Sequence, residues 1–419
     1  MRTTLSIMRG FNVSVLLWLL LWGFAAFGYF GLMGVLFNLY LLRLGFGPEF
    51  IGLLLGGGQL VWGVAALPAA AFGRRFGLRA AMYGAFGLMG GGFGLLLLVE
   101  LLPRGLWEPW LFACWAMVWI GAALVTVNSV PYAVLLVDEQ GRNGLFPIQQ
   151  AVVAVSTFLG SLTAGILPGV LAASSGGSLA DAAPYRTAMW LVPLLFVACV
   201  PLLAGTRPLR VTQTRAVETL AQPRPLATFL VLGAIVVLQT AAEGPVRAFF
   251  NVYLDRGLGV APSQIGLLIG AAQLLPVCGA LVTVSLLTRL GAARTLSLAS
   301  SGMVLALLVL AGIPLWSGAG LGFMGVMTMA AMHNPARSVF SQELVTARWR
   351  GTTAAILTIG TALGWATTAA AGGYIISAVG FGGLFALSAG LAAGASAVAW
   401  AAHRRQSRLV AAVAVAVGA

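Results

Sequence analysis

Long apolar segments, separated by short polar breaks, occupy most of this 419-residue sequence. An α-helix rises about 1.5 Å per residue, so roughly 20 apolar residues cross a hydrocarbon core about 30 Å thick. Stretches such as VLLWLLLWGFAAF do not alternate between apolar and polar residues, as the strands of a membrane β-barrel do. Hydrophobic residues make up 60% of the chain and charged residues only 8%, which is more apolar surface than a soluble fold can bury. The sequence therefore predicts an all-α integral membrane protein.

The chain repeats itself about halfway along its length. FNLYLLRLGFGPEFIGLLLG at residues 37–56 matches FNVYLDRGLGVAPSQIGLLIG at residues 250–270, with one residue inserted in the second copy. The matched pairs are Asn38 and Asn251, Tyr40 and Tyr253, Gly52 and Gly266, and Gln59 and Gln273. This repeat predicts two homologous halves.

Breaks at arginine, proline and glycine-rich positions divide each half into six predicted helices. In the first half they lie near 11–42, 50–73, 79–102, 109–137, 145–172 and 186–205. In the second half they lie near 226–253, 263–287, 293–314, 318–345, 351–377 and 381–402. We therefore predict an N-terminal bundle at 1–205, a cytoplasmic linker at 206–225, a C-terminal bundle at 226–402 and a cytoplasmic tail at 403–419. The tail is too short to span and would lie on the membrane surface or be disordered.

The basic residues indicate the orientation of these helices. All 23 are arginines, and they give a net charge of +13. They cluster near both ends of the chain, in the linker and in alternate short loops, which is the pattern of loops retained in the cytoplasm. Because the helix count is even, we predict both termini on the cytoplasmic side of the cell's inner (cytoplasmic) membrane. This loop placement also argues against a nucleic-acid partner.

Two loops resemble a signature of a known family. The loop after predicted helix two reads AAFGRRFGLR at residues 70–79, and it is similar to the GxLaDRxGRR signature of the major facilitator superfamily. Arg74 stands where that signature has its aspartate. TRLGAAR at residues 288–294 is a second degenerate copy. Together with the two-halves layout, the resemblance spans essentially the whole chain.

The resemblance implies twelve transmembrane helices in two pseudo-symmetric six-helix bundles, and secondary transport by alternating access. It also implies that helices one, four, seven and ten line a central cavity. In this family, arginines of the signature loops often pair with acids at the cytoplasmic ends of helices four and ten. The corresponding cytoplasmic gate here would be Arg75 with Glu139 and Arg289 with Glu343. Exposed charges worth under about 1 kcal/mol each are the alternative interpretation.

Helix seven carries an acid and a base at membrane depth, where each ionisable residue costs a few kcal/mol. Gln239, Glu243 and Arg247 lie at i, i+4 and i+8, on one face of the helix. Water or substrate that enters beside such a pair can switch its protonation, so Glu243 is our first candidate for proton coupling. A purely structural ion pair between Glu243 and Arg247 is the alternative.

Helix ten carries the second candidate. His333 and Arg337 lie one turn apart, and Asn334 precedes a proline that frees a backbone carbonyl. Since histidine titrates near neutral pH, His333 is our second candidate for proton coupling, and a hydrogen-bonded neutral histidine is the alternative. We expect the substrate cavity to be lined by Tyr29, Asn128, Gln239, Arg247, Asn334 and Arg337. Asn38 and Asn251, near the outer ends of helices one and seven, would form an outer gate or merely cap that end.

What the sequence lacks narrows the function further. It has no glycine-rich phosphate loop and no lysine, which excludes an ATP-driven pump within this chain. HExxH, paired cysteines and dense His/Asp clusters are also absent, so we expect no enzyme, no cofactor and no metal site. The expected partners are a small-molecule substrate, protons and the lipid bilayer, and the protein is expected to be a monomer.

Two modes of transport stay open at this point. Proton-coupled export of amphipathic or drug-like compounds by an antiporter is our first prediction, favoured by an apolar cavity and the family-like loops. Uptake of a small organic acid or other metabolite by proton symport is the alternative. It is favoured by the net positive charge of Arg247 and Arg337 beside the single acid Glu243. Two other classes of function would be compatible with this fold: a channel, and a receptor that transports nothing.

Overall fold

The structure, a computed structural model, describes residues 12–137, 142–207, 226–345 and 349–417. Within these ranges the regular secondary structure is helical throughout and no strand occurs. Most of the predicted linker and the predicted gate residue Glu139 lie outside the described residues.

Six helices form in the first half of the chain. They are α1 (Val13–Arg43), α2 (Pro48–Phe76), α3 (Leu78–Leu96), α4 (Trp107–Val134), α5 (Arg142–Ser175) and α6 (Ala183–Gly205). A π-helical segment, Phe27–Met33, interrupts α1, and a turn at Trp190 interrupts α6. The connection from α3 to α4 contains two 3₁₀ turns, Val99–Leu101 and Arg104–Leu106.

Six more helices follow in the second half. They are α7 (Leu226–Gly257), α8 (Pro262–Leu290), α9 (Ala292–Gly312), α10 (Trp316–Leu344) and a long helical stretch, Arg350–Val417. Gly380 has non-helical dihedral angles (φ 74°, ψ 178°) and divides that stretch into α11, residues 350–379, and α12, residues 381–417. The predicted all-α fold of twelve helices is thereby confirmed over the described residues.

Two helix ends differ from the predictions. α3 ends at Leu96 and not near 102. A 3₁₀ turn follows, and Leu102, which precedes a proline, has extended dihedral angles. At the other end of the chain, α12 continues to Val417, whereas we expected a separate tail from 403. No glycine or proline occurs between Arg404 and Val417, so nothing in the sequence ends the helix earlier.

Glycines with positive φ mark matching connections in the two halves. Over the described residues, the positive-φ positions are Gly45, Gly77, Gly176, Gly259, Gly291 and Gly380. They follow α1, α2 and α5 in the first half and α7, α8 and α11 in the second. A side chain would strain the backbone at these angles. The chain therefore changes direction at equivalent places in each half, which is the structural counterpart of the sequence repeat.

The helices are built to cross a membrane. Nine helical segments of the described chain are long and apolar enough to do so, and one of these contains both α11 and α12. Glycines in α3 and polar residues in α10 lower the hydropathy of the two remaining helices. Large apolar side chains are exposed, such as Val64, Leu67 and Leu281, which are 76%, 78% and 70% exposed. These surfaces require lipid around them, and the protein is a multi-pass membrane protein.

Contacts between residues divide the chain into two compact units. Unit 1 contains Met1–Ala216 and Gly259–Leu274, and unit 2 contains Val217–Leu258 and Leu275–Ala419. The first half of α8 therefore groups with α1 to α6. Each unit has its own apolar core: small residues of α2, α3 and α4 in unit 1, and residues of α7, α9, α10 and α12 in unit 2. The predicted domain boundaries stay predictions.

Helix α5 is held between two neighbours in unit 1 by backbone contacts at glycines. A Cβ atom added to Gly31 of α1 would lie 2.6 Å from the Cα atom of Gly160 in α5. On another face of α5, a Cβ atom added to Gly165 would lie 2.9 Å from the carbonyl oxygen of Pro262 in α8. Such close approach of helix backbones requires residues without side chains.

This packing predicts the effect of a single methyl group. Gly160→Ala should lower the free energy of unfolding by about 1–3 kcal/mol, because the new Cβ overlaps the backbone of α1. Gly169→Ala is the matched control, since it lies in the same helix and nothing is within 4 Å of its added Cβ. Thermal unfolding of both variants in detergent micelles measures the difference. Equal melting temperatures would contradict the close contact.

Candidate functional site

Two of the three polar residues that share one face of α7 are buried. Gln239 and Glu243 are 3% and 4% exposed, whereas the side chain of Arg247 is 45% exposed. The Nε atom of Arg247 donates a hydrogen bond to Oε1 of Glu243 one turn earlier. The acid is therefore buried with an ion-pair partner that still reaches the protein surface.

Glycines and a threonine let α11 approach α7 closely on another side. A Cβ atom added to Gly244 would lie 2.7 Å from Oγ1 of Thr368. The hydroxyl of Thr240 donates to the carbonyl of Val236, 2.7 Å away, and occupies the space that Gly364 leaves free. The glycines of α11 thus act in packing against α7.

This approach brings an aromatic ring to the ion pair. The guanidinium carbon of Arg247 lies 5.9 Å from the centre of the Trp365 ring, within range of a cation–π interaction. The indole nitrogen of Trp365 is buried and has no hydrogen-bond partner among the described residues. Sequence reasoning missed Trp365, because its glycine-rich surroundings indicate only packing.

On α10, His333 is 1% exposed, and neither ring nitrogen has a hydrogen-bond partner among the described residues. A neutral imidazole has one hydrogen-bond donor and one acceptor. In His333 neither is used by a described residue. No described residue supplies the partner that a hydrogen-bonded structural histidine would need, and the role of His333 stays a prediction. Buried polar atoms without partners are rare and mark a place for water, an ion or a ligand.

Two more buried polar atoms, one in α7 and one in α10, are also unsatisfied. Nε of Arg337 and Oε1 of Gln239 are buried without a partner over the described part of the chain. Arg337 lies within electrostatic range of both Glu243 and His333. We call Gln239, Glu243, Arg247, His333 and Arg337 the polar cluster. It belongs entirely to unit 2.

Asn334 lies apart from these contacts. It is exposed, unlike its neighbour His333, because successive residues of a helix point in different directions. Its carbonyl accepts a hydrogen bond from the hydroxyl of Ser338, 3.0 Å away. The role of Asn334 in a substrate cavity stays a prediction.

In unit 1, Asn128 connects two helices. It is 2% exposed, and its side-chain nitrogen donates to the carbonyls of Ala69 in α2, at 3.2 Å, and Leu124 in α4, at 2.9 Å. Gly73 leaves the space that the side-chain oxygen of Asn128 occupies. In this conformation the amide hydrogens are used by helix carbonyls, and the predicted contact of Asn128 with substrate stays a prediction.

Tyr29 belongs to an aromatic group around the π-helical segment of α1. Its ring centre lies 4.9 Å from Phe30, 6.1 Å from Phe93 and 6.3 Å from Trp119. The indole nitrogens of Trp115 and Trp119 are buried without partners among the described residues. Sequence reasoning named Tyr29 and missed both tryptophans, although their spacing of four residues along α4 was a usable signal.

The predicted cytoplasmic gate is not closed by ion pairs in the described part of the chain. Arg75 is exposed and lies over the ring of Phe76, 5.3 Å from its centre. Arg289 and Glu343 are both described, both exposed, and do not pair with each other. Arg79 instead donates to the carbonyl of Leu203, at 3.4 Å, near the end of α6. The gate stays a prediction, and its partner Glu139 lies outside the described residues.

The predicted outer-gate asparagines are both buried; Asn38 belongs to unit 1 and Asn251 to unit 2. Asn38 is 5% exposed and Asn251 is 4% exposed. The side-chain oxygen of Asn251 accepts a hydrogen bond from the backbone nitrogen of Val252. Their role as a gate stays a prediction.

An acid with two partners joins three parts of unit 1. Tyr40, at the end of α1, donates to Oε1 of Glu100, 2.9 Å away. Arg186 of α6 pairs with Oε2 of the same carboxylate at 2.7 Å. Glu100 therefore connects the α3–α4 loop to α1 and α6, a contact that the sequence spacing did not reveal.

A cavity of about 600 Å³ in unit 1 lies away from the predicted site residues. Its lining includes Leu19, Phe24, Phe27, Val152, Leu191 and Leu195. Nearly all of this surface is apolar, so it offers little for chemistry or proton transfer. Over the described residues, no group of three or more His, Cys, Asp or Glu side chains could hold a metal ion.

Comparison with known proteins shows which solved structures share the fold of this chain. No protein-family profile and no curated protein sequence matches the chain. Solved structures do match. A crystal structure of the nucleoside transporter NupG matches with a TM-score of 0.69 and 13% identity, covering 93% of this chain and 98% of that chain. The chain has the fold of this transporter.

Two further structures agree. A bacterial homologue of the human lysosomal transporter Spinster, in an inward-facing and occupied conformation, matches with a TM-score of 0.70 and 15% identity over 93% of this chain and 96% of that chain. A D-xylose-proton symporter matches with a TM-score of 0.71 and 15% identity over 92% and 97%. The predicted twelve-helix fold is thereby confirmed as a fold that the chain shares with these transporters. Identities this low establish the arrangement of the helices and leave the substrate undetermined.

The ion pair of α7 predicts a pattern of stabilities. Arg247→Gln should lower the free energy of unfolding by roughly 3 kcal/mol, because it leaves a buried carboxylate without its counter-ion. Adding Glu243→Gln should restore most of that loss, since the buried charge is then removed. Arg289→Gln, at an exposed arginine, is the control. Melting temperatures in one detergent measure the series, and equal losses in the single and double variants would refute the pairing.

Proposed function

We propose that the protein is a secondary active transporter that moves a small organic solute across the cytoplasmic membrane by alternating access, coupled to protons at Glu243. The shared fold with transporters for nucleosides and for D-xylose with protons supports transport. The observation that carries the proposal is the buried Glu243 carboxylate within α7, which is paired with a half-exposed arginine.

Exchange of partners at Glu243 supplies a coupling mechanism. Arg247 is exposed enough to turn toward water or substrate, whereas Glu243 is not. A carboxylate left in the membrane interior must gain a proton or another cation, because a bare charge there is costly. Departure of Arg247 and arrival of a proton are therefore linked events. His333, buried beside Arg337, is the second proton carrier in this scheme.

The direction of transport follows from whether solute and proton occupy the protein together. In the antiporter that we predict first, a proton on Glu243 and an amphipathic solute alternate, which exports the solute. In the symporter that is the alternative, both are bound at once, which drives uptake. The aromatic group around Tyr29 supports an organic solute with apolar surface in either case.

The orientation belongs to the same proposal. Both termini lie in the cytoplasm, which the placement of the arginines supports. The protein acts as a monomer in the inner membrane, and Arg75, Arg289, Glu139 and Glu343 close its cytoplasmic side.

Substitution of the acid tests proton coupling. Glu243→Gln in proteoliposomes should abolish solute-driven proton movement, read with a trapped pH-sensitive dye, while solute exchange without net flux continues. Glu108→Gln, at an exposed acid of α4, is the control and should behave as wild type. Inward solute gradients would acidify the lumen for a symporter and raise its pH for an antiporter. Full proton-coupled flux in Glu243→Gln would refute the assignment.

Charge reversal tests the gate. Glu343→Arg should repel Arg289, favour the inward-open state, and slow labelling of a cysteine introduced at Asn334 by a membrane-impermeant maleimide applied from outside. An interaction of up to about 1 kcal/mol corresponds to a change of up to roughly fivefold. Glu108→Arg is the control. Unchanged labelling in Glu343→Arg would remove these residues from the gate.

A further inference from the structure

We infer that the substrate carries a carboxylate, and that this group binds the guanidinium of Arg337 beside His333. The inference rests on the proposed transport function for its physiological meaning. It specifies the chemical class of the solute, and equilibrium binding alone is enough to test it.

The first argument is the unpaired charge on Arg337. Its Nε atom is buried, and over the described residues the side chain makes no hydrogen bond or close ion pair. Two other arginines that are partly buried do have such partners: Arg43 donates to the carbonyl of Leu179, and Arg186 pairs with Glu100. An arginine stays charged in any protein environment, and an anion beside the guanidinium would offset the desolvation of its buried Nε atom.

The second argument is that the nearest acid is already engaged. Glu243 lies within electrostatic range of Arg337, yet its hydrogen-bonded ion pair is with Arg247. The polar cluster holds two arginines and one acid, which leaves one positive charge. A single carboxylate balances that charge, whereas a phosphate monoester, with a charge of about −1.5 to −2, would exceed it.

The third argument is the unused donor capacity of His333. It lies one turn before Arg337 on α10, so the two side chains share a face of the helix. A neutral imidazole offers one N–H, and both of its nitrogens are without partners among the described residues. An N–H of the guanidinium and one of the imidazole can each serve one oxygen of a carboxylate. Gln239 contributes an unused acceptor oxygen, which suits a hydroxyl or ammonium group elsewhere on the same solute.

Binding of matched acids and amides to the purified protein tests this assignment. The probes are straight-chain monocarboxylates of two to six carbons and benzoate, each compared with its uncharged amide in a thermal-shift titration. At least one acid should raise the melting temperature of the wild type while its amide does not. Arg337→Gln should weaken that acid by about 30-fold or more, and Arg337→Lys, which keeps the charge without the planar fork, should weaken it less.

Arg294→Gln, at an exposed arginine of α9, is the control and should bind the acid as the wild type does. If Arg337→Gln fails to fold, the comparison of Arg337→Lys with wild type carries the same test. The inference is overturned if no acid of the series binds, if an amide binds as well as its acid, or if acid binding is unchanged in the Arg337 variants.

Failure of this inference is distinct from failure of the proposed function. Acid binding that depends on Arg337, without any solute-driven proton movement in liposomes, would refute proton-coupled transport and leave the carboxylate site in place. Proton-coupled movement of an uncharged solute, unaffected by Arg337→Gln, would support transport and overturn the carboxylate site.

Discussion

A charge in a membrane-spanning helix must be balanced by another charge or by a ligand, because the surrounding lipid cannot solvate it. Unit 2 satisfies this requirement only in part. The buried acid Glu243 has Arg247, one turn away on the same helix. Arg337 has no such partner over the described residues, and His333 beside it uses neither ring nitrogen. These unsatisfied atoms support the proposal that an anion of the substrate completes the cluster. Both the proposed coupling at Glu243 and the proposed carboxylate site depend on this imbalance.

Close helix packing at glycines sets the positions of the groups that surround these charges. In unit 2, the space left by Gly244 and Gly364 allows α11 to approach α7, which places Trp365 near Arg247. In unit 1, Gly31 and Gly160 bring α1 and α5 into backbone contact next to the π-helical segment that carries Tyr29. In a membrane the hydrophobic effect does not drive helices together, because the lipid is as apolar as their side chains. Small residues allow the extensive van der Waals contact that fixes the positions of the helices instead. Packing and chemistry therefore depend on the same helix faces.

The fold was predictable from local patterns, but several contacts of the candidate site were not. Apolar segments and the repeat at 37–56 and 250–270 predicted twelve helices in two halves. Both signals are visible in the sequence without knowledge of any tertiary contact. The spacing of Glu243 and Arg247 predicted their pairing, because residues four apart lie on the same face of a helix. The hydrogen bond from Asn128 to the carbonyl of Ala69 and the approach of Trp365 to Arg247 join residues far apart in the chain. Such contacts cannot be inferred from the spacing of residues within one helix. The end of α12 was missed because a short alanine- and valine-rich segment was interpreted by its length, although it lacks any helix-ending residue.

By itself the sequence determined that this chain spans a membrane with helices, that its halves are related, and which few ionisable residues lie at membrane depth. These properties depend on hydropathy, length and spacing, which are present before any tertiary contact forms. Tertiary structure alone decided which of those residues have partners. It paired Glu243, left Arg337 and His333 unsatisfied, and used Asn128 to join α2 and α4. The physical reason is that hydrogen bonds and ion pairs depend on distances of a few ångströms between different helices, and such distances exist only once the helices have packed.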